Sequence, residues 1–315
     1  MTPSCPCFST VKNWIAALLV FSTAALARAQ QPSADPPSFR SASSELVVLP
    51  VVVTDKDGGF ISGLEQDRFK VFDNGRRQEL AIFTGEDTPV TVGLLIDNSG
   101  SIGRKLREII AGALAFAHAS NPEDEVFALE FNDDVEDAID GRQISAANFE
   151  ELEAALATLR PSGQTALYDA LLAGLDRVVS GSRPRKVLVL ISDGGDNVSS
   201  GTLKQVMARA RETDVTIYTI GLFDESAPDT NPGVLKDLAN ATGGRRFLPK
   251  SAGELLADCR HIAREIRSGY TLGYEPPDRD GRFHEIRVDV DRGTGPKLTV
   301  RTRPGYLAAA APAAP

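Results

Sequence analysis

The chain has little with which to staple itself, because its 315 residues include three cysteines. Cys5 and Cys7 precede an apolar run near the N-terminus, which argues against a lipid-anchored cysteine. A chain cut after that run keeps Cys259 alone and cannot form an internal disulfide. Cys259 shares a helical stripe with Leu255, Ile262 and Ile266, the pattern of a buried packing thiol. Beyond the N-terminus no run of about 18 apolar residues occurs, so no later segment is expected to span a bilayer. Cations are not in excess either: 34 Lys and Arg face 43 Asp and Glu, a net charge of −9. Gripping a phosphate backbone takes clustered cations, so nucleic acid is not an expected partner. The chain also lacks a Gly-x-Ser-x-Gly elbow, a zinc-binding histidine pair and a phosphate loop. Its three histidines give no obvious base: His118 and His261 fall inside helical patterns and His284 in a C-terminal β segment.

What is present is an ordinary globular composition, 42% apolar and 24% charged. Residues 1–29 read as a signal peptide, with Lys12, the apolar run 14–26 and the small-x-small site Ala27-Arg28-Ala29. Cleavage after Ala29 would remove Lys12 and Arg28 and take the net charge from −9 to −11. The expectation is an exported protein, periplasmic or extracellular, with no stable membrane insertion after cleavage. A Pro- and Ser-rich linker follows at 30–44. Residues 45–88 form an N-terminal β unit, with a β-branched run at 46–54, a strand at 69–72, the hairpin signal Asn74-Gly75 and an apolar return at 80–83.

From 89 to 268 the rhythm changes to strand and helix in alternation. Strands are expected at 90–96, 126–131, 187–191 and 215–220, with a short one ending at Leu248. Helices are expected from Ile102 to Ala117 and at 148–159, 166–179, 203–211, 234–239 and 253–267. Apolar strands separated by helices predict an α/β fold: a doubly wound, mostly parallel sheet with helices on both faces, Rossmann-like, flanked by N- and C-terminal β segments. A C-terminal β unit occupies 269–307, with strands at 270–274, 283–290 and 297–302. Whether it pairs with 45–88 is left open by the sequence, although short β pieces gain by combining. The low-complexity stretch 308–315 reads as a disordered tail.

The chemistry concentrates where strands end. The strand at 90–96 runs into Asp97-Asn98-Ser99-Gly100-Ser101, a carboxylate and two hydroxyls at alternate positions. The strand at 187–191 runs into Ser192-Asp193-Gly194, and the loop Pro161-Ser162-Gly163-Gln164 delivers Thr165 at a helix start. In a parallel sheet Asp97 and Asp193 share one rim, with Thr165 in reach. Such a set of hard oxygens suits Mg²⁺ or Mn²⁺. Taken singly, Asp97 and Ser101 could merely cap the following helix, and Asp-Gly is a common turn. Asp169 and Asp196 are candidates for a supporting role behind the ligands, although a helix-start acid such as Asp169 is also explained by the helix dipole. Asp55-Lys56-Asp57-Gly58 and Asp278-Arg279-Asp280-Gly281 lack the spacing of a calcium loop and read as hairpin turns.

Asp97-x-Ser99-x-Ser101, the later Gly163-x-Thr165 and the strand-terminal Asp193-Gly194 together resemble the von Willebrand factor type A domain and its metal-ion-dependent adhesion site. The resemblance covers about 90–267 and fills all five family positions in order, with Ser192 where many members carry Thr. The flanks, with Gly63-Leu64, the segment 69–75 and Tyr270-Thr271-Leu272-Gly273-Tyr274, resemble a group of exported bacterial proteins related to this domain. The resemblance implies binding and not catalysis: an Asp or Glu of a protein partner completes the metal shell. Hydroxyl ligands add no charge, so the ion stays electrophilic, and five side chains leave at least one of six positions open. The alternatives are a structural subunit of an envelope assembly and, less favoured, a metal-dependent hydrolase built on Asp97.

Overall fold

A computed structural model describes residues 46–310, apart from 86, 224–229, 294 and 296. The signal peptide and linker expected at 1–44 lie outside the described residues, as do 311–315. The N-terminal flank folds into β1 (Val47–Thr54), β2 (Phe69–Asp73), β3 (Arg76–Gln78) and β4 (Ile82–Thr84). The middle of the chain gives β5 (Val90–Asp97), α1 (Leu106–Ala119), β6 (Glu125–Phe131), β7 (Val135–Asp137), β8 (Ile144–Ser145), α2 (Phe149–Leu156) and α3 (Leu167–Val179). It continues with β9 (Arg185–Ser192), α4 (Leu203–Glu212), β10 (Val215–Gly221), α5 (Pro232–Thr242), β11 (Arg246–Phe247) and α6 (Ala252–Arg267). The C-terminal flank supplies β12 (Tyr270–Tyr274), β13 (Phe283–Val290), β14 (Thr299–Arg301) and β15 (Gly305–Leu307).

The central sheet runs β11-β10-β9-β5-β6-β7, with β8 also on β6. Its β11, β10, β9, β5 and β6 are parallel, and β7 and β8 join antiparallel. Every residue of β5 is buried, as a strand covered on both faces requires. Val90, Val92, Leu94 and Ile96 face α1, α2 and α6, while Leu95 faces α3, α4 and α5. Gly93 shares the second face, where a Cβ would meet Phe127 at 2.4 Å and Leu188 at 2.6 Å, so only a hydrogen there lets those side chains close the core. Cys259 is buried in the first layer among Leu255, Ile262 and Ile266, and burial pushes its thiol up to about 12. The fold is thus α/β with a mostly parallel sheet covered on both faces and flanked by antiparallel strands.

Those flanks pair with each other. One four-stranded sheet runs β14-β1-β12-β4 and another β15-β13-β2-β3, so each mixes strands from both ends of the described chain. Leu49, Val51, Val71, Tyr270, Tyr274 and Ile286 fill the core they share. Two differences from the expected elements have physical causes. β14 is shorter than 297–302, and β3, β7, β8 and β15 are strands of two or three residues whose stability comes from pairing and not from local propensity. The expected disordered tail does not begin at Ala308: its N–H donates to Arg282 O at 2.9 Å, its side chain is buried in the β core, and Ala310 bridges Asp280. No helix among the described residues is long and apolar enough to cross a membrane.

Candidate functional site

Strands β5 and β9 are parallel neighbours in register through Ile96 and Ile191, which sets Asp97 beside Ser192 one step further on. The Ser192 hydroxyl donates to Asp97 Oδ2 at 2.7 Å. On the other carboxyl oxygen, Oδ1, the backbone N–H of Ser99 donates at 3.0 Å and the Ser99 hydroxyl at 2.5 Å. Ser99 Oγ lies 3.2 Å from Ser101 Oγ, and the Ser101 hydroxyl donates to Asp193 Oδ2 at 2.9 Å. Asp97 with Ser99 and Asp193 with Ser101 therefore form two carboxylate–hydroxyl pairs, one at each strand end, whose hydroxyl oxygens meet at 3.2 Å. Asp97, Ser99 and Asp193 are buried, whereas Ser101 is exposed, so the cluster has a floor and a mouth.

Helix capping does not explain these side chains. Ser99 stands at the N-cap of the short 3-10 turn Gly100–Lys105 and Lys105 at that of α1, and neither uses a side chain to cap. The third loop is bolted to the first by Gly100 N donating to Gly163 O at 3.2 Å and Ser162 N to Asn98 O at 3.0 Å. Thr165, at the end of that loop, is buried and held by its main chain: its N–H donates to Asn197 Oδ1 at 2.9 Å and its carbonyl accepts from Asn197 N at 3.0 Å. Among the described residues no hydrogen bond joins its hydroxyl to the other four. Asp193 Oδ1 accepts from Gly195 N at 2.9 Å, and the turn between them needs glycine at 194, where φ is +79° and a Cβ would lie 2.4 Å from Asn231 O.

Asp169 and Asp196 clasp the loop after β9 to the start of α3. Asp196 Oδ1 accepts from Tyr168 N at 3.1 Å and from the Ser199 hydroxyl at 2.5 Å, and Asp169 accepts from Ser200 N at 2.8 Å and Gly201 N at 2.7 Å. Neither hydrogen-bonds the five. They shape the loops that carry Thr165 and Asp193. Reading the sequence alone passes over Ser192, as a donor to Asp97, and Asn197, as the clamp on Thr165; the register of β5 against β9 is the signal that exposes the first.

The electrostatics are one-sided. Burial pushes the Asp97 carboxyl up to about 6, against the hydrogen bonds from Ser192 and Ser99, and the neighbouring Asp193 adds to the rise. No Lys, Arg or His pairs with Asp97 or Asp193 among the described residues. The histidines are engaged elsewhere: His118 packs against Phe149 with ring centroids 4.0 Å apart, His261 lies between Phe60 and Phe247, and His284 is buried beside Asp73. Nor are three His, Cys, Asp or Glu side chains arranged to hold a metal ion anywhere among the described residues. Two carboxylates with three hydroxyls are a different donor set, hard, compact and of net charge −2 when both acids are ionised. That set fits a small divalent cation, which would supply the missing counter-charge.

The model of the von Willebrand factor type A domain matches residues 92–259, more than half of the chain. The chain belongs to the von Willebrand factor type A domain family. All five strand-end residues lie inside the matched span. Among solved structures the fold is similar to that of a von Willebrand factor type A protein from Catenulispora acidiphila, at 12% identity and a TM-score of 0.51, over 85% of this chain and 75% of that one. It is also similar to proximal thread matrix protein 1 from the mussel byssus, at 16% identity and a TM-score of 0.50, over 62% of this chain and 51% of that one. A comparison with curated proteins finds no significant match.

Proposed function

We propose that the strand-end cluster is a metal-ion-dependent adhesion site in an exported binding protein, periplasmic or extracellular. Asp97, Ser99, Ser101, Thr165 and Asp193 would hold Mg²⁺ or Mn²⁺, with Asp169 and Asp196 fixing the loops behind them. The supporting observation is that the Asp97–Ser99 and Asp193–Ser101 pairs meet hydroxyl to hydroxyl at 3.2 Å, which gathers two carboxylates with no cationic partner at the rim where ligands of parallel sheets bind. A bound cation supplies an electrophilic position open to an Asp or Glu of a protein partner. The rest is positioning by the chain itself. Ser192 fixes the rotamer of Asp97, Asn197 holds the Thr165 backbone, and Gly194 lets the Asp193 turn close.

The test is affinity capture from the cell envelope fraction in Mg²⁺, with wild type and Asp97→Ala as baits and chelator as eluent. A partner retained by wild type, released by chelator and absent from the variant is the expected result. Retention that is equal in both baits and survives chelator would move the interaction off the metal and refute the proposal.

A further inference from the structure

Away from the strand ends, a cleft of about 430 Å³ opens between α5, β11 and α6 on one side and β1 and β14 on the other. In a chain of net charge −9 its lining is unexpectedly cationic, with Lys236, Arg245, Arg246 and Arg301. Glu265 is the single acid among the described lining residues, and it is already committed. It pairs with Arg301, and His261 Nε2 stands 3.7 Å from it. Burial opposes its ionisation, but the His261 hydrogen bond and the Arg301 charge hold it down at about 2. Arg301 is thereby neutralised, and it also donates to Gly243 O at 2.7 Å.

Lys236, Arg245 and Arg246 are different. None of them forms an ion pair among the described residues. Two are nevertheless held in place: the Arg246 guanidinium donates to Pro232 O at 2.7 Å, and that of Arg245 lies over the Phe247 ring at 5.0 Å. Beside them Phe60 packs on His261 at 5.3 Å and stiffens the wall. Asp258, outside the lining, is close enough to Arg245 and His261 to feel their charges, which oppose a rise that its burial causes. Like charges collected in a concave site repel one another until an anion enters, and anchored guanidinium groups lose little freedom when it does. Planar arginine forks match tetrahedral oxyanions with two hydrogen bonds each.

We infer that this cleft binds a phosphate- or sulfate-type oxyanion, at a second ligand site separate from the strand-end cluster. Free inorganic anion and an ester carried on a larger molecule offer the same chemistry, and the choice of probe separates them. Calorimetric titration with inorganic phosphate, sulfate and glucose 6-phosphate, in chelator and at ionic strength matched with chloride, is the experiment. One site per chain is expected, weakened about tenfold or more in the double variant Arg245→Ala, Arg246→Ala. Tighter binding of the sugar phosphate would assign the site to an ester, and tighter or equal binding of the inorganic ions to the free anion; both support the inference. Lys236→Ala, on the exposed face of α5, is the second variant should the double one fail to fold. Heats no larger than those of the chloride control, or equal affinity in wild type and variants, would overturn it.

Discussion

Asp97 and Asp73 are both sealed from solvent, yet their surroundings differ in charge. Asp73 lies at the end of β2. His284 Nδ1 stands 2.6 Å from its Oδ1, and the Tyr274 and Tyr306 hydroxyls each donate to its Oδ2 at 2.8 Å. The other ring nitrogen of His284 faces Asp280 Oδ1 at 3.2 Å, so both nitrogens meet carboxylate oxygens and the ring fits there as an imidazolium. Burial and the nearby Asp73 push both phenols up, keeping them donors. β2, β12, β13 and β15 all contribute, and the cluster locks the two flanking sheets together. Asp97 receives only neutral donors, from Ser99 and Ser192. At Asp73 the chain brings its own cation; at Asp97 it brings none, and under the proposed metal reading the counter-charge would come from solution.

The largest difference should appear on truncation. Asp73→Ala strands an imidazolium and two phenols and should cost about 3–5 kcal/mol in urea unfolding. In chelator Asp97→Ala removes a carboxyl that burial already disfavours, and a loss within about 1 kcal/mol is expected. Equal losses would erase the distinction between the two aspartates. Next, Mn²⁺ at a hundredfold excess over its Kd should stabilise the wild type by about 2.7 kcal/mol in thermal melts and leave Asp97→Ala unmoved.

The third difference is one of pH. Burial works against the His284 charge, but the hydrogen bond and charge of Asp73, followed by those of Asp280, outweigh it and raise its pKa above the ordinary 6.5. A raised histidine lends stability that is complete below pH 6.5 and is lost as pH rises through the folded-state value. In chelator the wild-type Tm should therefore fall more steeply above pH 6.5 than that of His284→Gln. Parallel curves would remove the charged ring from the β cluster. The smallest effect expected is that of Ser192→Ala, which deletes one donor to Asp97; a loss of about 1 kcal/mol, roughly fivefold in Mn²⁺ affinity, should be read in a titration.

Much of the strand-end cluster was legible because its parts are local. Asp97, Ser99 and Ser101 sit at alternate positions after a plainly apolar strand, and Asp193 follows another, so a parallel sheet alone places them on one rim. Apart from the short β7 and β8, the order β5, α1, β6 through α6 followed from apolar runs and helical stripes for the same reason. The Asp73 cluster was not legible. Asp73 and His284 are 211 residues apart in sequence, and they meet only because β2 and β13 pair with Asp73 opposite Ile286. Short strands such as β15 carry no pattern of their own, and the roles of Ser192, Asn197, Asp169 and Asp196 depend on which loop lies against which.

Whether the strand ends hold a cation can be decided by calorimetric titration of Mn²⁺ into chelator-stripped wild type and Asp97→Ala, with both melts recorded beforehand. We expect one Mn²⁺ per wild-type chain, none in the variant, and the two metal-free proteins melting at nearly the same temperature. Equal Mn²⁺ affinity in the two proteins would contradict a metal site at Asp97, Ser99, Ser101, Thr165 and Asp193.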